Sequence, residues 1–226
     1  MSHKEAENHL KHIEREIVKD EKEAMGGVFT KPFFDSRVSI VIPDTCALID
    51  LERLTREYRG QEAKYARPDI FLDNLIERNR VVLIPKGIIN EVRIHRKVKL
   101  NSHEYELSQD FVSYLEELYK ISNCFLGCTR YGLDSEQTGL DVYWASVLSC
   151  AENQKKQEEG FSNADKDLLT LACLLTTTKS DPAKSSEKIS IGLVDVLSSD
   201  EHILRGADFL RERCGYKNLK TIHMRK

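Results

Sequence analysis

Four acidic residues stand where a carboxylate can do chemistry: Asp44, Glu91, Asp165 and Asp200. Asp44 follows the apolar run at 38–42 and Pro43, in SIVIPDTCALIDLERL. Glu91 comes after VVLIP, on the segment KGIINEVRI. Asp165 stands in FSNADKDLLTLACLL, and Asp200 closes GLVDVLSSD. Gathered in one place, such groups repel: two carboxylates ~4 Å apart cost about 4 kcal/mol at an effective dielectric of roughly 20. A hard divalent cation removes that penalty, and Mg²⁺ or Mn²⁺ prefers oxygen ligands while keeping several waters. Such an ion polarises a phosphoryl oxygen and lowers the pKa of a bound water, which is the chemistry of phosphodiester hydrolysis. No side-chain nucleophile is then required. The chain offers none in a recognisable setting, with no G-x-S-x-G, H-E-x-x-H or Walker loop. Taken singly, Asp44, Asp165 and Asp200 read equally well as helix caps.

The elements that must position these groups follow from hydrophobic pattern. The β-branched run at 38–42 is apolar on consecutive positions, as a strand covered on both faces requires. Helical spacing follows through Leu48, Leu51 and Leu54, and a second helix follows Pro68. VVLIP (81–85) reads as another buried strand, with a helix over 86–98. Helices are expected at 103–122 and 136–158, and again after Ser162, where Leu168, Leu169, Ala172 and Leu175 share one face. A strand over 189–197, a helix, and a last strand in NLKTIHM complete the chain. The rhythm predicts an α/β fold: a doubly wound parallel sheet of about five strands with helices on both faces. Residues 1–37 read as a charged N-terminal helical arm. Residues 38–226 read as the domain proper, with a helical insertion near 101–160.

With 226 residues the chain can bury a substantial core. A formal charge of −3 gives no global basic signal, so affinity for nucleic acid must come from a local patch. No segment approaches the roughly 20 apolar residues of a membrane span, and the N-terminus lacks an apolar secretory core. A cytoplasmic protein with six reduced, buried cysteines is expected. The segment RIHRKVKLNSH carries Arg93, Arg96, Lys97 and Lys99 between Glu91 and the next acid, and could grip phosphates or form a solvated helix face. Thr45 and Ser199 could fix the neighbouring carboxylates or simply cap helices. Tyr131 and Trp144 have the rings to stack on bases, although Trp144 reads as an interior residue. His202 and Asp208 read as surface positions.

Taken in order, the four motifs resemble those of the PIN domain nucleases. VIPDTCALI resembles that family's first strand and acid, LIPKGIINEV the second, FSNADKDLLTLACLL the third and VDVLSSDEHI the fourth. The resemblance runs from about residue 38 to 223. It implies a three-layer α/β/α sandwich and an endoribonuclease cutting single-stranded RNA with Mg²⁺ or Mn²⁺. Asp44, Glu91, Asp165 and Asp200 would be the catalytic, metal-holding acids. Partners it brings are single-stranded or structured RNA, a second copy of the chain and an inhibitor protein. Departures from the pattern are the added length, Cys46 where many members carry a small polar residue, and two competing acids, Asp167 and Asp195. Two other readings stay open. One is a non-catalytic PIN-like module binding RNA or protein. The other is a phosphatase of the haloacid dehalogenase type, which needs a second aspartate where this chain has Cys46.

Overall fold

The computed structural model describes residues 3–24, 37–56, 67–77, 80–94, 97–100, 103–128, 135–152, 160–177 and 190–225. In chain order these form α1 (His3–Ala24), β1 (Arg37–Pro43), α2 (Thr45–Arg56), α3 (Pro68–Glu77), β2 (Arg80–Val82), α4 (Lys86–Ile94), β3 (Lys97–Leu100) and β4 (His103–Glu106). They continue with α5 (Gln109–Cys128), α6 (Ser135–Glu152), α7 (Asn163–Thr177), β5 (Ser190–Ser198), α8 (Glu201–Arg213) and β6 (Leu219–His223).

Strands β2, β1, β5 and β6 lie side by side in that order, and every pairing is parallel. Consecutive residues of β1 and β5, Ile40 to Ile42 and Val194 to Leu197, are all buried, as a sheet covered on both faces demands. The chain runs from β1 to β2 in one direction across the sheet, and from β2 past β1 to β5 and β6 in the other. Right-handed crossovers then put α2 and α3 on one face and α7 and α8 on the other, while α5 packs against α3 and α4. The packing agrees: α1 touches α2, and α2 touches α3, whereas α6, α7 and α8 touch one another. The arrangement is compatible with three layers.

Among the described residues the central sheet has four strands, not the five expected. A second difference lies in the residues after α4. KVKL and HEYE alternate with period two and are separated by Asn101-Ser102. They form an antiparallel hairpin, β3–β4, that pairs Lys97 with Glu106 and Leu100 with His103 and stays apart from the sheet. The expected helix over 86–98 therefore stops at Ile94, and the helix expected from 103 begins at Gln109.

Helix α1 is built into the same core as the sheet. Ala6, Leu10, Ile13 and Ile17 are buried. Three polar contacts hold it: Arg80 donates from Nη2 to the Ile17 carbonyl at 2.7 Å, Lys220 to the Glu16 carbonyl at 3.1 Å, and the His9 ring meets the Met224 carbonyl. No helix among the described residues is long and apolar enough to cross a membrane.

Candidate active site at the strand ends

Strand order reverses between β1 and β5, so the crevice outside their carboxyl ends is the switch point where open α/β sheets hold ligands. Asp44 stands at the end of β1, fully buried, with its N–H bonded to the Leu197 carbonyl of β5 at 2.9 Å. Its carboxylate accepts from the Ala47 N–H through Oδ1, capping α2, and from the Ser198 hydroxyl through Oδ2. The same Ser198 oxygen accepts the Asp200 N–H at 2.9 Å. One hydroxyl thus ties the end of β1 to the start of α8. Asp200 caps α8, accepting the His202 N–H at 2.8 Å.

The other two acids arrive from helices. Ser162 and Asp165 form a reciprocal capping box at the start of α7: Asp165 N–H donates to Ser162 Oγ at 3.1 Å, and Ser162 N–H donates to Asp165 Oδ2 at 2.9 Å. Glu91 lies inside α4, where the Thr45 hydroxyl donates to its Oε2. Capping occupies one oxygen of Asp165 and one of Asp200, so the bland reading and the functional one coexist at these positions.

Electrostatics joins the four. Burial pushes the Asp44 carboxyl from 3.8 up to about 7, against the pull of the Ser198 and Ala47 hydrogen bonds, and the charges of Asp165 and Asp200 push the same way. Asp165 is raised as well, first by burial and then by Glu91 and Asp200, although Ser162 opposes the shift. Three helix N-termini, those of α2, α7 and α8, carry these aspartates and offset part of the repulsion with their partial positive charge. Cys46 sits at the rim. Loss of hydration, then Asp44, Asp200 and Asp165, drive its thiol pKa far upward, so it stays protonated.

The donor set suits a hard dication, all oxygen and mutually repelling. Convergence is weaker: among the described residues no three His, Cys, Asp or Glu side chains stand close enough to hold one ion together. An ion held here would rely on water for part of its coordination, as Mg²⁺ commonly does.

Several sequence readings need correcting. Ser198, not Ser199, touches Asp44; the last residue of β5 lies beside the end of β1, one position earlier than the sequence reading assumed. Asp195 is buried three residues before Ser198, so strand alternation turns it to the opposite face. Asp167 is exposed on α7, beside α4. Neither is among the charges that act most strongly on Asp44 or Asp165. In the basic segment, Arg93 is engaged with Glu116 of α5 at 3.0 Å and Arg96 lies outside the described residues; further along the chain, Tyr131 lies outside them too. Lys97 and Lys99 fall on β3 rather than on a helix continuing from Glu91. His202 is buried, its ring 4.6 Å from that of Phe161 and its Nε2 3.3 Å from Cys150 Sγ. Trp144 is exposed on α6, and Cys46 is exposed rather than buried.

One basic residue at this end of the sheet escaped the sequence reading. The Met224 N–H bonds to the Ser198 carbonyl at 2.9 Å, extending β6 towards the pocket and bringing Arg225 to its edge. Arg225 Nε is anchored at 2.7 Å by Asp50, a fully buried carboxylate of α2 that also pairs with Arg53 at 3.0 Å. The charge of Asp200 reaches Arg225 and helps to raise its pKa, after the larger effect of Asp50. A cavity of about 300 Å³ lies elsewhere, between α1, α8 and β6, lined by His12, Glu16, Asp208 and Lys220, and involves none of the four acids. No family model matches the chain, and neither a curated protein nor a solved structure does.

Proposed function

We propose that the chain is a metal-dependent endoribonuclease of the PIN type, hydrolysing phosphodiester bonds in single-stranded RNA with Mg²⁺ or Mn²⁺ among Asp44, Glu91, Asp165 and Asp200. The observation that carries this reading is the burial of Asp44 at the sheet's switch point, near enough to Asp165 and Asp200 that their charges add to the upward shift burial gives its carboxyl. A dication bound there supplies counter-charge and an activated water. The chain's own residues orient the acids: Ser198 and the Ala47 N–H fix Asp44, Thr45 fixes Glu91, and Ser162 fixes Asp165. Arg225 fits the role of gripping a substrate phosphate. Asp50 holds its Nε and leaves both terminal nitrogens without a partner among the described residues. Arg225→Ala is expected to raise KM about ten-fold, the size of one charge-assisted hydrogen bond, with little change in kcat. Steady-state kinetics on an RNA oligonucleotide would show this, and an unchanged KM removes Arg225 from the site.

The test of the activity itself is cleavage of single-stranded RNA by the purified chain with Mn²⁺, its loss on chelation, and its loss in Asp165→Asn. That substitution should cost at least about a hundred-fold, the scale of removing one preorganised charge. The scattered donors favour one other reading, a non-catalytic RNA-binding module. RNA binding without Mn²⁺ affinity would establish it in place of the nuclease. The phosphatase reading is weakened further, because the protonated thiol of Cys46 cannot replace the missing carboxylate. Fast turnover of a generic phosphomonoester would restore it.

A further inference from the structure

Two imidazoles close on one peptide group. The Met224 carbonyl and the Arg225 N–H belong to the same peptide, just beyond the last residue of β6. The His9 ring of α1 meets that carbonyl through Nε2, and His223 Nδ1 meets that N–H at 2.9 Å. A carbonyl only accepts, so His9 carries a proton on Nε2 and donates it. An amide only donates, so His223 Nδ1 is unprotonated and accepts. A peptide group is planar and stiff. Holding its oxygen and its hydrogen together fixes the plane from which the Arg225 side chain departs.

The fold explains how His9 comes to be there. Helix α1 runs against the direction of the strands: Ile17 lies by Arg80 at the start of β2, Glu16 by Lys220 in β6, and His9 by Met224 past its end. The helix thus delivers one side chain to the end of the sheet where the acids lie. Docking of α1 does not depend on that contact, since Ala6, Leu10, Ile13 and Ile17 are already in the core. The resemblance runs from about residue 38 to 223 and includes neither His9 nor Arg225.

We infer that His9 and His223 are positioning residues that hold the Arg225 peptide so that, with its Nε on Asp50, the guanidinium is preset for a substrate phosphate. This rests on the reading of Arg225 given under Proposed function. Presetting matters because a long side chain otherwise loses its rotamer freedom at the moment of binding. The two imidazoles are not equivalent. His9 still donates from Nε2 as an imidazolium, whereas protonated His223 would turn an N–H towards an N–H and lose its bond. Acid therefore loosens Arg225 through His223 alone. The charged and titratable groups that share a cavity with the His223 ring are His12 and Glu16 of α1, Asp208 of α8 and Lys220 of β6.

The clamp is tested first by nuclear magnetic resonance on the isotope-labelled chain. Imidazole nitrogen shifts should show His223 Nδ1 unprotonated at neutral pH, and the Arg225 amide should exchange slowly, becoming fast in His223→Ala. Its role is tested by KM for a single-stranded RNA oligonucleotide with Mn²⁺. His9→Ala and His223→Ala should each raise KM about five-fold with little change in kcat, the scale of one hydrogen bond. In the Arg225→Ala background they should add almost nothing. His9→Gln, whose amide nitrogen can replace Nε2, and His223→Asn, whose oxygen can accept the N–H two residues on, should restore the parent's KM. As pH falls through the ordinary imidazole range, parent and His9→Gln should lose affinity together relative to His223→Asn. A protonated His223 Nδ1 or a fast-exchanging Arg225 amide in the parent overturns the clamp. Unchanged KM in both alanine variants, with KM raised in Arg225→Ala, overturns the positioning role. If Arg225→Ala also leaves KM unchanged, the reading of Arg225 falls and takes the inference with it. Where the parent binds RNA without cutting it, dissociation constants read the same comparisons, so the nuclease reading and the clamp fail separately. A parent that neither binds nor cuts RNA overturns the role outright.

Discussion

Asp44→Asn is expected to melt at a higher temperature than the parent near pH 8 without divalent cations, and to lack Mn²⁺-dependent cleavage. The folded chain holds the Asp44 proton up to about pH 7, whereas the unfolded chain releases it near 3.8. Between those values the folded state binds more protons than the unfolded one, so stability due to this group falls as pH rises through the window. Above about pH 7 the full penalty of a buried, repelled carboxylate applies. A shift from 3.8 to about 7 corresponds to an effect on the order of 4 kcal/mol. Asparagine carries no such penalty, and its amide suits the site. Its oxygen can accept from Ala47, its nitrogen can donate to Ser198, and that hydroxyl can turn to the Asp200 carbonyl 3.4 Å away. Without cation, the parent's melting temperature should therefore drop relative to the variant's between about pH 4 and about pH 7, and stay below it at higher pH. Mn²⁺ opposes this trend. Binding favours ionised Asp44, so the stabilisation that Mn²⁺ gives the parent should grow with pH, reaching about 2.7 kcal/mol at a hundred times its dissociation constant. The variant should gain little. Parallel pH profiles for the two proteins, with equal response to Mn²⁺, would mean that Asp44 is neither repelled nor a ligand.

What could be read from the sequence was whatever is encoded locally. The runs at 38–42 and 189–197 are rich in β-branched and other apolar residues, so β1 and β5 are legible, and the acids at their ends come with them. Ser162 and Asp165 announce the start of α7 by their spacing alone. Legibility failed where two patterns competed. KVKL and HEYE alternate as strands do, but their lysines continue the basic run from Arg93 and read as a helix face. Ser198 and Ser199 have the same side chain, and only the register of β5 against β1 decides which hydroxyl reaches Asp44. For α6, hydrophobicity is spread round the helix, so pattern cannot say which stripe faces inward, and Trp144 stands on the outer one. Arg225 depends on the end of β6 lying beside Ser198, a tertiary fact with no local signature.

Gly87→Ala is the substitution expected to damage the site most from outside the four acids. Gly87 stands in the first turn of α4, the helix that carries Glu91. A Cβ there would lie 2.7 Å from the Ala164 Cα and 2.9 Å from Asp167 Oδ2, both on α7. The second contact can be relieved by rotating an exposed side chain, but the first is backbone, so α4 and α7 must separate. Alanine is the better helix former by about 1 kcal/mol, and overpacking a close helix contact costs typically 1–3 kcal/mol. The balance favours a net loss. Function should suffer more than stability. Glu91 lies four residues beyond Gly87 on the same helical face, and Asp165 is the neighbour of Ala164, so a separation of the two helices moves both carboxylates. Well below its melting temperature, the variant should retain folded circular dichroism and lose most of its Mn²⁺-dependent cleavage. The second-site changes sharpen the diagnosis. Asp167→Ala in the Gly87→Ala background should restore only part of the loss, and Ala164→Gly should restore none, because the offending atom is Cα rather than Cβ. If Gly87→Ala melts as high as the parent and cleaves as fast, the two helices are not in contact here, and Glu91 and Asp165 are positioned by something else.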